Sequence, residues 1–387
     1  MSPPASTPPG RGARAIALAA ALAPAAAPAF ETAPPSDALA LLSATGPAVP
    51  VTLSLVGGAP ETSDEGADVA LLELDSEALS VALALEPWEL VAGLGERPDA
   101  GARAAWRATF GTAAPTAYRG GVPGRDRSWA RLLEVDGAWR GHLAAGGTLW
   151  RVDPVAGAPA TDEGIAHVAR RVAVGVPPPA VADADADAEV LRIGIVVDSR
   201  FDERHGGRGL ERALAIVNGV DGLFREGFGV GLAVEAVRVH DDPGTDPLRE
   251  AGDTVETVLE AFRLARDADP ELAEDLALVH LFTGLDDARG AVGLGYVDGA
   301  CRADGWDTAL STPFAFDVLL AAHEMAHVVG APHDDDPSCA GRSTPADLMW
   351  PTLSEASRAG FSACSVEAVR RTLESGCLAD GRVVDPG

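Results

Sequence analysis

From residue 190 onward the apolar positions follow two rhythms that trade places. Leu191 to Asp198 (LRIGIVVD) is a short, nearly unbroken apolar run, the pattern of a strand buried on both faces. Leu210, Ala213, Leu214, Val217, Val220 and Leu223 then recur at helical intervals, which predicts a helix with one core-facing stripe. Val230 to Val239 reads as a second strand. Asp253 and Glu256 form a capping-box-like start to a helix carrying Val255, Val258, Leu259 and Phe262. Leu276 to Phe282 (LALVHLF) predicts a further buried strand, and Gly290 to Val297 (GAVGLGYV) a strand whose glycines admit another backbone closely. Asp317 to Val329 (DVLLAAHEMAHVV) is apolar on nearly every side, so its helix is buried. This order predicts an α/β domain with a mostly parallel twisted sheet, one antiparallel edge strand and a small irregular C-terminal subdomain.

The first half of the chain is patterned differently. Val51 to Leu55 and Thr148 to Val152 alternate like strands, and a helix is expected around Asp99 to Thr109. Pro177 to Asp187 (PPPAVADADAD) has no apolar periodicity and reads as a linker. At the N-terminus Arg11 and Arg14 precede an apolar run from Ala15 (AIALAAALAPAAAPA), closed by Ala27-Pro28-Ala29, the pattern of a cleavable leader. The run is too short and too rich in Ala and Pro to span a bilayer, and no other stretch reaches that length. The expected organisation is therefore a leader over 1–29, a β-rich domain over 30–173, a linker over 174–189 and an α/β domain over 190–387.

Composition narrows the partners. The 387 residues carry a net charge of −28, and all 30 basic residues are arginine. Such a surface disfavours nucleic acid and anionic membranes, and a monomer is expected. The four cysteines all fall between 301 and 377 and allow three pairings. With an exported chain they predict disulfides; a second zinc site is the alternative, but no C-x-x-C spacing supports it.

The chemistry is concentrated in His323 to Asp334, HEMAHVVGAPHD. His323 and His327 are four apart, so a helix puts them on one face, one turn above each other. Glu324 lies within the same arc, placed to take the proton of an activated water. Gly330 lets the chain leave the helix through a left-handed turn, and His333 can swing back as a third imidazole. Three imidazoles leave one tetrahedral position of a zinc ion open, which marks a catalytic site.

With these residues the chain resembles a metzincin, and within metzincins the adamalysin/reprolysin group that includes the ADAM proteases. Asp347-Leu348-Met349-Trp350-Pro351 resembles the Met-turn, and Phe361-Ser362-Ala363-Cys364-Ser365 the group's closing helix, with Ser365 expected as N-cap and Gly376 as stop. The resemblance implies a zinc endopeptidase with ligands His323, His327 and His333 and general base Glu324. It implies Asp334 bracing the turn beside the metal and Met349 packing beneath the imidazoles. Val292, Gly293, Leu294 and Gly295 would bind extended substrate by strand addition, and Pro351, Thr352 and Leu353 would wall the pocket beside zinc. It pairs Cys301 with Cys377 and Cys339 with Cys364. Arg192 stands where relatives carry an acidic calcium ligand, so no calcium is expected. The segment Tyr118 to Pro154 resembles a reprolysin propeptide, implying a zymogen, with Arg170-Arg171 as a cleavage point. That domain has no cysteine, so it could not hold latency with a thiolate. The expected product is a secreted, extracellular peptidase acting on proteins or peptides. The alternative is a secreted binding or inhibitory protein with a vestigial zinc site.

Overall fold

The computed structural model describes residues 15–20, 49–56, 70–75, 81–125, 128–155, 165–175, 189–269, 272, 276–286, 291–302, 304–375, 378 and 383–384. The linker Pro177 to Asp187, the expected leader cleavage site, Gly376 and the Cys301–Cys377 pairing fall outside them.

Eight antiparallel strands close into a barrel: β2 (Val49–Val56), β3 (Ala70–Asp75), β4 (Val81–Trp88), β5 (Thr116–Gly121), β6 (Trp129–Val135), β7 (Ala138–Ala145), β8 (Thr148–Pro154) and β9 (His167–Val174). The last pairs with the first, Val49 opposite Ala169, so no edge of this sheet is left open. Local chemistry sets two of its hairpins. Asp136-Gly137 and Gly146-Gly147 all have positive φ, the conformation that two-residue turns between twisted strands require. Between β4 and β5 lies helix α1 (Ala100–Phe110), where Asp99 accepts from the Ala102 N–H as N-cap. The expected pieces Val51 to Leu55, Thr148 to Val152 and Asp99 to Thr109 thus fall on β2, β8 and α1. Arg170 and Arg171 sit mid-strand in β9, opposite Arg151 and Trp150. A backbone paired in a barrel cannot enter a protease cleft, so this pair is no processing site in the folded chain.

The second sheet runs β11 (Gly231–Val239), β10 (Val190–Val197), β12 (Leu278–Phe282), β14 (Thr308–Ser311) and β13 (Ala291–Tyr296). The first four are mutually parallel, and β13 is antiparallel to β14. Short β16 (Val383–Val384) adds to β10. Helices α2 (Ser199–Arg204), α3 (Gly209–Phe228), α4 (Val255–Ala268), α5 (Asp317–Val328) and α6 (Ala363–Glu374) complete the domain. Two caps differ from expectation by a few residues. Helix α4 is capped by a Thr254/Thr257 box rather than by Asp253 and Glu256, and α6 by Ser362, whose hydroxyl accepts from the Ser365 N–H. In both cases a neighbouring hydroxyl reaches the free N–H groups better. Arg192 pairs with Glu235 on β11 at 3.2 Å.

The start of the apolar N-terminal run has a place here. Ala15–Ala20 forms β1, whose backbone lies antiparallel along β13, Ala15 opposite Tyr296 and Leu18 opposite Gly293. Its end runs parallel to β15 (Thr352–Leu353). Among the described residues no helix is long and apolar enough to cross a membrane.

Candidate metal centre

Helix α5 carries the first half of the site. All of its residues are buried, and it sets His323, Glu324 and His327 on the side facing β13 and the Met-turn segment. The helix ends at Val328, with Val329 as its C-cap. Gly330 then has φ +106°, and a Cβ there would lie 2.3 Å from Thr372 Oγ1 and 2.8 Å from Asp298 Oδ1. Both the turn and the space require glycine. The turn brings His333 back, so the ring centroids of the three histidines stand 4.6, 5.3 and 4.7 Å apart. Among the described residues these three form the one group of His, Cys, Asp or Glu side chains with metal-binding spacing.

The hydrogen bonds show what the rings need. His323 Nδ1 is 2.7 Å from the Leu348 carbonyl oxygen, and His327 Nδ1 is 2.7 Å from that of Ala331. A carbonyl only accepts, so each Nδ1 carries the hydrogen. Burial depresses both rings, His323 to about 3, so both are neutral and each Nε2 presents a bare lone pair. Those two nitrogens face each other at 3.0 Å. Two lone pairs cannot share a proton that neither ring has, so the pair calls for a cation. Their separation approaches the roughly 3.3 Å edge of a tetrahedron with zinc–nitrogen bonds of about 2.0–2.1 Å. His333 Nε2 is likewise buried without a partner. Three orphaned, neutral imidazole nitrogens suit a zinc ion, with two backbone carbonyls fixing ring orientation.

Glu324 is fully buried, and neither carboxylate oxygen has a hydrogen-bond partner. Burial raises its pKa well above the ordinary range. The glycines of β13 explain how it fits. A Cβ on Gly293 would lie 2.5 Å from Glu324 Oε1, and one on Gly295 would lie 2.7 Å from the Glu324 carbonyl. The close approach expected of this strand is therefore made by α5, on its face, while β1 pairs along its edge.

The remaining residues bind the lower wall together. The Asp334 N–H donates to the Met349 carbonyl at 2.8 Å, and its Oδ1 accepts from Ser362 and from Ser365 Oγ at 3.2 Å. Asp334 thus joins the segment after the third histidine to the Met-turn and to the start of α6. Met349 is wholly buried in the core that includes Met325 of α5. Cys339 and Cys364 are disulfide-bonded. Leu353 is buried, whereas Pro351 and Thr352 are half-buried beside β1. The carbonyls of Leu348 and Ala331 had no signal in the sequence, because a backbone acceptor is independent of side-chain type.

The comparisons agree with this geometry. Residues 187–362 match a reprolysin-type family model described as Metallo-peptidase family M12. A search of curated proteins found no match. The region that carries β10 through the Met-turn, with its three converging histidines, is a reprolysin-type metzincin domain of metallopeptidase family M12.

Proposed function

We propose that this chain is a secreted zinc endopeptidase in which Glu324 moves the protons and β13 aligns the substrate. The single observation that carries the reading is the convergence of three imidazole nitrogens, two from α5 and one from His333 after the Gly330 turn, beside a buried carboxylate of α5 that has no hydrogen-bond partner. A zinc ion held by His323, His327 and His333 supplies Lewis acidity and makes a nearby water easier to deprotonate. Glu324 takes the proton of the attacking water and passes it to the departing amine. Both tyrosines lie upstream of the histidines, and the Tyr296 hydroxyl donates to Glu260 at 3.0 Å, so neither is assigned to the oxyanion.

Substrate would lie extended along Val292 to Gly295 through main-chain hydrogen bonds. Strand β1 supports this reading, since it already runs between β13 and β15 in such an arrangement. Pro351, Thr352 and Leu353 would then wall the pocket for the residue after the cut bond. That wall is apolar or nearly so, and burying an aliphatic or aromatic side chain there contributes roughly 1.5–3 kcal/mol. The Cys339–Cys364 bond and the leader-like N-terminus favour an oxidising, extracellular setting.

The test is cleavage of a peptide library by the purified chain, read by mass spectrometry with and without a zinc chelator. Cuts before aliphatic or aromatic residues that vanish with chelator and return with zinc are expected. Absence of any zinc-dependent cleavage would leave a binding protein with a vestigial site. A dominant charged residue after the cut would show that the pocket wall lies elsewhere.

A further inference from the structure

Helix α3 is buried on both sides: every residue from Gly209 to Glu226 is shielded. One side carries the apolar stripe against the sheet and α5. The other is polar, and the barrel covers it. Two glycines make that contact flush. A Cβ on Gly219 would lie 2.4 Å from His142 of β7 and 2.8 Å from Val318 of α5, and one on Gly222 would strike the Trp129 ring at 2.7 Å. The polar groups across the seam are matched. Arg131 of β6 binds Asp221 at 2.7 Å with side chains 1% and 0% exposed, and Arg225 shares the same carboxylate. Trp129 Nε1 donates to Glu226 at 2.8 Å, and Asn218 donates to the Leu132 carbonyl at 3.0 Å. Beside β11, Val234 exchanges backbone hydrogen bonds with Leu90 and Ala92 at 2.8 and 2.9 Å.

One cluster reaches the catalytic helix itself. Arg212 of α3 binds Asp153 of β8 at 2.9 Å and also Asp317, the first residue of α5. Arg151 of β8 stands 3.6 Å from the same Asp317. Asp317 accepts from the Val318 N–H, so the cluster grips the N-terminus of the helix that carries His323 and Glu324 two turns on. A cavity of about 330 Å³ opens beside it, lined in part by Arg140, Arg151 and Phe314.

A propeptide that leaves must uncover a surface that water can solvate. Departure of this barrel would strip Asp221 of Arg131, Arg212 of Asp153 and Glu226 of Trp129. It would also split a single apolar core holding Trp129, Leu133 and Leu149 with Val217, Val220 and Phe224. Uncovering that shared apolar core to water costs free energy in proportion to the apolar area exposed. We infer that the barrel is a permanent lobe of this enzyme, retained after any cut in the linker, and that Asp153 and Arg151 are positioning residues that hold the active-site helix through Arg212 and Asp317.

Retention can be tested independently of the peptidase reading; the kinetic arm rests on that reading. A recognition site for a sequence-specific protease is placed within residues 177–187 of the full chain, and the cut protein is passed over a sizing column. The two fragments should co-elute at the intact size with most of the uncut activity, and separate only in denaturant. A freely separating barrel, with the other fragment folded and active, overturns the proposal. In the second arm, Asp153→Ala should lower kcat roughly tenfold, with KM, zinc content and co-elution little changed. Asp153→Glu should restore part of the loss. An unchanged kcat in Asp153→Ala removes the positioning role, as does a loss that Asp153→Glu leaves unrescued.

Discussion

At the scale of single residues, the site depends as much on what is missing as on what is present. Gly293 leaves room for a carboxylate, and the carboxylate leaves its own oxygens unpaired. Gly293→Ala puts a methyl group 2.5 Å from Glu324 Oε1, so the base or β13 must shift. Peptide hydrolysis should fall by roughly tenfold or more, with zinc still bound, because misplacing a catalytic group is costly even at ångström scale. Full activity in that variant would show that Glu324 can be moved without consequence. A second residue gives a pH signature away from the metal. Burial raises Glu226 from 4.5 to about 7, against the lowering effect of the Trp129 hydrogen bond. A carboxyl raised on folding stabilises the protein fully below its unfolded pKa, and that contribution is lost as pH rises through the folded value. The thermal midpoint should therefore decline as pH climbs from 4.5 through about 7, and Glu226→Gln should remove that component. An identical pH profile in the variant would contradict the assignment.

At the scale of elements, legibility followed burial. The strands β10, β11, β12 and β13 and the helices α3 and α5 were readable because their apolar residues face a core in a plain period. The zinc motif was readable because it is contiguous and its spacing is dictated by one helix turn and one glycine. The caps of α4 and α6 were misplaced by one and three residues, since Asp, Ser and Thr neighbours compete for the same N–H groups. The polar side of α3 carried no sign of its burial. Glu211, Arg212, Asp221 and Arg225 would suit a solvent face, and only the barrel's complementary charges make them interior. The barrel itself showed only fragments, because strands this short signal weakly one at a time. The dipeptides Asp136-Gly137 and Gly146-Gly147, which suit two-residue turns, mark two of its hairpins more strongly than any single strand does.

At the scale of the whole molecule, the N-terminal run and the cleft meet. Residues expected to form a leader contribute β1, which lies on the edge that substrate is proposed to use. If the groove binds extended chain by backbone pairing, β1 and substrate compete for it. A chain beginning at Phe30 should then show a lower KM for peptide than the full chain, with kcat little changed. Equal KM values would show that β1 does not obstruct the groove.

The most direct measurement of the central claim is made on one variant, with zinc content and peptide hydrolysis determined in the same sample. Glu324→Ala leaves all three imidazoles and the carbonyls of Leu348 and Ala331 untouched. It should keep zinc at the wild-type stoichiometry while hydrolysis falls by at least about two orders of magnitude, as expected for loss of a general base. Turnover undiminished in that zinc-loaded variant would contradict the account.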